Sequence, residues 1–417
     1  MKRIWKNYKQ TILLTLSLII GTVVGLIFKE KTEVLKPFGD LFMNMMFVII
    51  VPLIFLTITT SIAKIKQPKR LGKVIGSTFL IFLVTSIIAC VIGIGVTYSM
   101  KLVKPHDAVK IKETLGSTTA TKEKINVLDR TVQAISVNDF SLILSKNSIL
   151  ALVVISILTG IAVNRTGEDG EPFKKVLESA NKVVLKLVDI LFYYAPIGLG
   201  CYFAALIGTF GSEIAIGYLR TFVIYTVVAV LFYFLVYSLY AFISAGQKGF
   251  KLFWKNIMPA TATSISTCSS AASIPSNLKS AEGVGVPNDI AETVIPLGTS
   301  FHKDGSVIGS VFKIMFLVYL FGTDVTSIPG ILKVTGVAMI ANLLVTAVPV
   351  GGGTISEMLI LTMMGFPVNA LPILTIIATI IDPAATLLNV TGDTASSMLV
   401  TRVVEGKNWL SKKKSKK

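Results

Sequence analysis

Apolar residues fall in long runs at roughly 10–28, 39–63, 74–100, 141–163, 176–207 and 219–245. Each is close to the ~20 residues that a helix needs to cross a hydrocarbon core, so the pattern predicts six spanning helices before residue 250. The run 176–207 begins amphipathically, with Lys182 and Lys186 among Val and Leu, and its first turns are expected at the interface with the lysine stems snorkelling. The opening MKRIWKNYKQ has the charged start of a signal peptide. Its apolar run of ~18 residues exceeds an h-region of ~7–15 and no small-residue cleavage site follows, so it is read as the first retained span.

From about residue 252 the pattern changes. NIMPATATSISTCSSAASIPSNLKSAEG is too rich in Ser and Thr for a lipid-facing helix, and ILKVTGVAMIANLLVTAVPVGGGTISEMLILTMMGF is interrupted by Pro and Gly at 348–353. Each reads as a helix-break-helix element, at about 252–283 and 329–366. Irregular backbone at membrane depth is tolerated only inside protein or along a cavity, because lipid cannot satisfy its N–H and C=O groups. The functional site is therefore expected in the C-terminal third. The run 289–323 carries GTSFHKDGSVIG, with His302, Lys303 and Asp304 adjacent. The run 368–405 carries Asp382, Thr386, Asn389 and Asp393, whose spacings of four, three and four put them on one helical face.

Composition supports an all-α polytopic membrane protein. Of 417 residues 53% are hydrophobic and 15% charged, against about 25% charged in soluble domains. The 40 Lys and Arg exceed the 23 Asp and Glu, but they gather in short segments between apolar runs rather than along one basic face. That is a topology signal and speaks against a nucleic-acid partner. It places both termini in the cytoplasm of a multi-pass inner (plasma) membrane protein, with 101–140 as an extracellular loop and SKKKSKK as a cytoplasmic tail within 406–417. Cys90, Cys201 and Cys268 offer neither a disulfide framework nor a metal spacing.

Buried polar residues bound the chemistry. Ser, His and Asp occur together in GTSFHKDGS, but on a continuous helix His302 and Asp304 point in different directions and no nucleophile elbow accompanies them. An enzyme is not expected. Only His106 and His302 are available as imidazole ligands, so no metal site is expected beyond a possible Na⁺. A transporter uses more of the features. Broken helices present N-termini that suit a carboxylate and free carbonyls that suit a cation. Residues 269–273 and 348–353 would form the two tips, and Asp382 and Asp393 would need an amine, a cation or a structural partner. A passive channel and an intramembrane enzyme are the alternatives of other classes.

YAPIG at 194–198, STCSSAASIP at 266–275, IPLGTSFHKDGS at 295–306, AVPVGGG at 347–353 and DPAATLLNVTGD at 382–393 resemble, in order, the signatures of the glutamate transporter family, the dicarboxylate/amino acid:cation symporters. The resemblance implies eight transmembrane helices and two re-entrant hairpins in a homotrimer working by an elevator motion. Helices 1–2 (1–73) and 4–5 (141–218) would form the scaffold. Helix 3 (74–100) and residues 219–405 would form the transport domain. It implies a substrate pocket of Ser269, Ser270, Ser306, Val348, Gly352, Asp382, Ala385, Thr386 and Asn389, with Asp382 on the amine and Asn389 on the main-chain carboxylate. It implies cation sites of Thr85, Ser86, His302, Lys303, Asp304, Asn389 and Asp393, no cofactor, H⁺ or Na⁺ as coupling ion, and small-molecule substrate and membrane lipids as partners.

The chain departs from the family pattern where charge is read. Ala385 stands where members carrying acidic amino acids have an arginine, so a small neutral amino acid is the favoured substrate. His302 and Lys303 replace Asn and Met, and Phe82 replaces Tyr; imidazole is a poorer Na⁺ ligand than an amide oxygen. Three readings of Lys303 follow. It replaces one coupling Na⁺ as a tethered ammonium, it joins a static ion-pair network with His302 and Asp304, or it grips the carboxylate of an acidic amino acid or C4-dicarboxylate.

Overall fold

The structure is a computed structural model that describes residues 2–63, 71–103, 136–144, 148–210, 212–343 and 352–412. Most of the 101–140 loop, Val348, the remainder of the second break up to residue 351 and the last five residues of the tail lie outside them. Every described element is helical. The apolar runs become α1 (Lys2–Phe28), α2 (Lys36–Ala63), α3 (Leu71–Ser99), α4 (Ile149–Thr166) and α5 (Glu171–Phe210). α6 (Ser212–Leu231) then joins α7 (Tyr237–Asn256) through one π-helical turn at Phe232–Val236. Among the described residues, Lys73–Ser99, Ile214–Asn256, Asn288–Phe321 and Val368–Glu405 are long and apolar enough to cross a membrane.

The helix expected to stop near 245 continues to Asn256, past a kink at Ala245 and Gly246 where φ at the glycine is +63°. The first helix-break-helix element therefore starts later than its sequence suggests, as α8 (Met258–Thr267) and α9 (Ile274–Val284). Its break opens at Cys268, whose φ of +48° is the left-handed conformation of a helix C-terminus. The run 289–323 forms α10 (Asn288–Phe301) and α11 (Asp304–Phe321). The second element forms α12 (Ile328–Leu343) and α13 (Gly352–Met364), and α14 (Leu371–Glu405) completes the bundle.

Two packing groups are evident. α5 lies along α1 and α2, and α4 packs on α2. Hydroxyl and amide side chains cross these contacts, Thr32 Oγ1 donating to the Ala204 carbonyl at 3.1 Å, Thr59 Oγ1 to Ser156 at 3.1 Å and Asn164 Nδ2 to Ala63 at 3.0 Å, as expected where apolar burial gives helices little reason to associate. The second group centres on α14, which touches α3, α6, α7, α8, α9, α10, α11 and α13. The helices α1 to α6 present apolar side chains such as Ile20, Val48, Val91 and Leu219 outward, whereas α11 and the second half of α14 are buried almost throughout. This is the distribution of a bundle with lipid around it and polar groups at its centre.

The turn from α11 to α12 is exposed. There Asp324 Oδ1 accepts from the Thr326 hydroxyl at 2.7 Å and the Thr326 N–H at 2.9 Å, and these two bonds hold its carboxyl below the usual carboxylate range.

Candidate functional site

α10 and α11 are separated by only two residues. His302 is extended (φ −117°, ψ 112°) and Lys303 follows at φ −145°, ψ 66°. The break leaves the imidazole at the centre of the bundle with no exposed surface. Its Nδ1 lies 2.9 Å from Asp393 Oδ1, and its Nε2 lies 3.2 Å from Asp304 Oδ1 and 2.9 Å from Thr85 Oγ1. The ring stacks on Phe82, with centroids 4.5 Å apart and planes 19° apart. Helices α3, α10, α11 and α14 thus converge on one imidazole. The divergence of His302 and Asp304 expected on a continuous helix fails because the helix is interrupted between them.

The hydrogen-bond requirements of this cluster are specific. A nitrogen facing a carboxylate must carry a hydrogen, which assigns one to Nδ1. If Nε2 is bare, the single Thr85 hydroxyl proton must leave the Ile81 and Phe82 carbonyls to meet it, and Asp304 Oδ1 is left without a hydrogen bond. Asp304 Oδ2 is offered a hydrogen bond by Tyr237 OH at 3.3 Å, but that single proton is also directed at the Leu388 carbonyl, 2.7 Å away. With hydrogens on both nitrogens the ring donates to both carboxylates. Two buried carboxylates flanking one ring are best served by that form or by an added cation.

Lys303 does not occupy the position between the carboxylates. It is partly exposed at the start of α11 and within electrostatic reach of Asp393. Ser86 is buried next to Thr85 on α3 but is not hydrogen-bonded to the cluster. The Phe82 ring provides an apolar face for the imidazole. Thr85, His302 and Asp393 also have the spacing of a hydroxyl–imidazole–carboxylate triad, but all three are at most 1% exposed. Thr85 Oγ1 is also bonded to the backbone carbonyls of Ile81 and Phe82. No substrate bond can reach such a hydroxyl, so it is not a nucleophile. Among the described residues no group of three His, Cys, Asp or Glu side chains is suited to hold a metal ion.

Of the expected substrate residues, Ser306, Asp382, Ala385, Thr386 and Asn389 lie together on α11 and α14, whereas Ser269 and Ser270 belong to the first break. Asn389 Oδ1 accepts from the Ser306 N–H at 3.1 Å, and Asn389 Nδ2 donates to Ser306 Oγ at 2.9 Å. Thr386 Oγ1 donates to Asp382 Oδ1 at 3.3 Å, and Asp382 is the exposed member of the polar stripe on α14. Ala385 packs against Gly305: a methyl built on that glycine would lie 2.3 Å from the Ala385 carbonyl oxygen, so only glycine lets α11 approach so closely. In the first break Ser269 Oγ accepts from the Ala272 N–H at 3.2 Å, and the Ser270 carbonyl accepts from the Ser273 N–H at 3.2 Å. Asn277 ties α9 to α14, donating to the Val390 carbonyl at 2.8 Å and accepting from Thr394. Gly352 is the first residue of α13.

A second charged group lies in the bundle away from the imidazole. Lys313 on α11 and Glu357 on α13 form a buried ion pair, with Nζ and Oε1 3.5 Å apart, and Thr375 of α14 donates to Glu357 Oε2 at 2.7 Å. The signal was a single charge within each of two apolar helices, SVFKIMFL and GTISEMLI, which is uncommon at membrane depth without a purpose.

A helical membrane bundle that gathers hydrogen-bonding groups and two buried carboxylates around one imidazole at its centre fits a solute carrier. The model of the sodium:dicarboxylate symporter family matches residues 11–403, and the chain belongs to that family. It is similar to a proton/sodium-glutamate symport protein of Geobacillus stearothermophilus, 25% identical over 93% of this chain and 92% of the relative. It is 27% identical to the proton/sodium-glutamate symport protein of Bacillus subtilis over 92% and 90%. To the C4-dicarboxylate transport protein of the same organism it is 27% identical over 96% and 94%. The family consists of cation-coupled transporters rather than enzymes, and the chain is a multi-pass membrane symporter.

Proposed function

We propose that this chain is a secondary active symporter that imports a small neutral amino acid, and that the His302 side chain takes the place of one coupling cation. The observation that carries the coupling reading is the imidazole between Asp304 and Asp393, 3.2 and 2.9 Å from their nearest oxygens. A side-chain nitrogen there does the work of a bound ion for both carboxylates, which supports coupling to H⁺, or to fewer Na⁺ than in relatives with an amide at this position. The reading reassigns to His302 the tethered-cation role that the sequence offered to Lys303.

Ala385, 5% exposed, supports the neutral substrate. A methyl group cannot pair with a second substrate carboxylate, and two described arginines are engaged elsewhere, Arg220 with the Lys101 carbonyl and Arg402 with that of Ile243. Asp382 would bind the amine, and Asn389, Ser306, Thr386 and the two breaks would hold the rest. In the same reading the packing groups around α5 and α14 correspond to scaffold and transport domain, the chain has eight spans and two re-entrant hairpins, and it works as a homotrimer by an elevator motion with both termini cytoplasmic. The second reading, an acidic amino acid or C4-dicarboxylate as substrate with Lys303 on its carboxylate, is favoured by the names of the relatives.

Proteoliposome counterflow with Na⁺ and pH gradients imposed separately, and with a panel of neutral and acidic competitors, tests both parts. Uptake is expected to persist without Na⁺ and to be competed by serine or alanine. His302→Asn, which restores an oxygen ligand, is expected to make uptake Na⁺-dependent. Full Na⁺ dependence of the wild type, unaltered in His302→Asn, would sink the coupling reading. Competition by aspartate or succinate but not by serine or alanine would sink the neutral one.

A further inference from the structure

α11 has a second polar column beside the pocket. Ser306, Ser310 and Lys313 follow at spacings of four and three, which aligns them on one helical face. Ser306 belongs to the pocket through Asn389. Ser310 Oγ accepts from Asn342 Nδ2 of α12 at 2.8 Å and lies 3.5 Å from Ser356 Oγ of α13. Lys313, 6% exposed, closes the column. Long side chains on a helix lean toward its N-terminus, which directs the lysine head back toward Ser310 and Ser306.

The partner of that ammonium is Glu357. At 3.5 Å the contact is ionic, and Glu357 Oε1 completes no hydrogen bond among the described residues. One carboxylate oxygen at that distance can take up at most one of the three donors of the ammonium. Thr375 fixes the other carboxylate oxygen, so the acid is held in place from α14 and not by the lysine alone. A buried cation on the same face of α11 as Ser306, two turns from the Ala385 position that usually holds an arginine, is capable of receiving a substrate carboxylate. Its charge is cancelled from within the protein.

We propose that Glu357 is a specificity-determining residue: by serving as the resident counter-charge of Lys313 it denies that cation to a second carboxylate on the substrate and keeps the pocket selective for neutral amino acids. Removing the acid frees the ammonium, and an acidic substrate then supplies the carboxylate that Glu357 supplied. This rests on the neutral-substrate reading above and names the side chain responsible for it.

The test measures ligand-induced thermal stabilisation of the purified full-length protein by serine, alanine, aspartate and succinate, alongside their competition for uptake in proteoliposomes. In Glu357→Gln the affinity for aspartate is expected to rise about 10- to 100-fold, the worth of one hydrogen bond to a charged group, with serine or alanine binding retained. In the double variant Lys313→Met with Glu357→Gln, which strands no charge, the gain should vanish while neutral binding persists. Should Glu357→Gln fail to fold, Glu357→Asp draws the carboxylate back by one methylene and is expected to give an intermediate gain. A folded Glu357→Gln or Glu357→Asp that binds the neutral ligand but aspartate no better than wild type overturns the proposal. A gain that survives in the double variant also overturns it. Wild type that already prefers aspartate refutes the neutral-substrate reading instead, whatever the variants do.

Discussion

Replacing Gly298 by alanine should break the imidazole cluster without substituting any of its members. A methyl on that glycine would lie 2.2 Å from Asp393 Oδ1, 2.5 Å from its Cγ and 3.0 Å from Oδ2. Carbon and oxygen do not approach closer than about 3.2 Å without strain, so the carboxylate must retreat by about 1 Å. Its bond to His302 Nδ1, now 2.9 Å, would then be stretched beyond hydrogen-bond length. Asp393 is 1% exposed, so water cannot replace the lost donor. A hydrogen bond to a charged group is worth about 1.5–3 kcal/mol, more when the partner is left buried and unmatched. Against this, alanine gains about 1 kcal/mol over glycine in a helix interior, leaving a net loss of about 0.5–2 kcal/mol. Thermal unfolding in detergent and uptake in proteoliposomes should both report it: Gly298→Ala melts a few degrees lower and transports poorly. Gly336→Ala, whose methyl would meet nothing within 4 Å, provides the helix-propensity control and should melt at or above wild type. If Gly298→Ala melts with that control and keeps wild-type ion dependence, the cluster does not depend on the His302–Asp393 contact and the argument fails.

Gly305→Ala is more severe, because the methyl would meet backbone, the Ala385 carbonyl oxygen at 2.3 Å and its Cα at 2.8 Å. Separation of α11 from α14 is expected to abolish recovery of monodisperse protein on size exclusion, and a normal yield would contradict the close approach. At Asp324 the depressed carboxyl adds stability that is present above its unfolded value of 3.8 and lost as the pH falls through the lower folded value. Amide exchange over 322–328 should therefore match Asp324→Asn only in strong acid, and identical exchange at neutral pH would show that the two Thr326 bonds do not order the turn.

Much of this organisation was legible in the chain because its signals are periodic or compositional. The apolar runs became helices, and the stripe Asp382, Thr386, Asn389 and Asp393 does turn one face of α14 toward α10 and α11, since helical spacing alone fixes which side chains share a face. The serine-rich interruption marked the first break, although Leu252 and Phe253, which the sequence assigned to that element, belong to α7; the glycine-rich interruption lies largely outside the described residues. The choice between His302 and Lys303 was not legible. Neighbouring residues in extended backbone point to opposite sides, so which one enters the bundle depends on where α10 ends, and helix ends are poorly specified by local sequence. The Lys313–Glu357 pair was hidden for another reason, as no spacing rule links side chains 44 positions apart (357 − 313) on helices that meet only in the folded state.

The imidazole between Asp304 and Asp393 also bears on how far a solute can be concentrated. A free ion reaches its site by mass action, and each ion carried inward with the solute contributes its own gradient to the accumulation ratio. A positive group attached to the backbone is present at fixed local concentration on both sides of the membrane. It steadies the carboxylates during every crossing, and as long as it keeps its proton nothing is released, so it adds nothing to the driving force. A carrier built in this way would gain independence from the sodium outside the cell, and the steepness of the gradient it could build would be correspondingly lower.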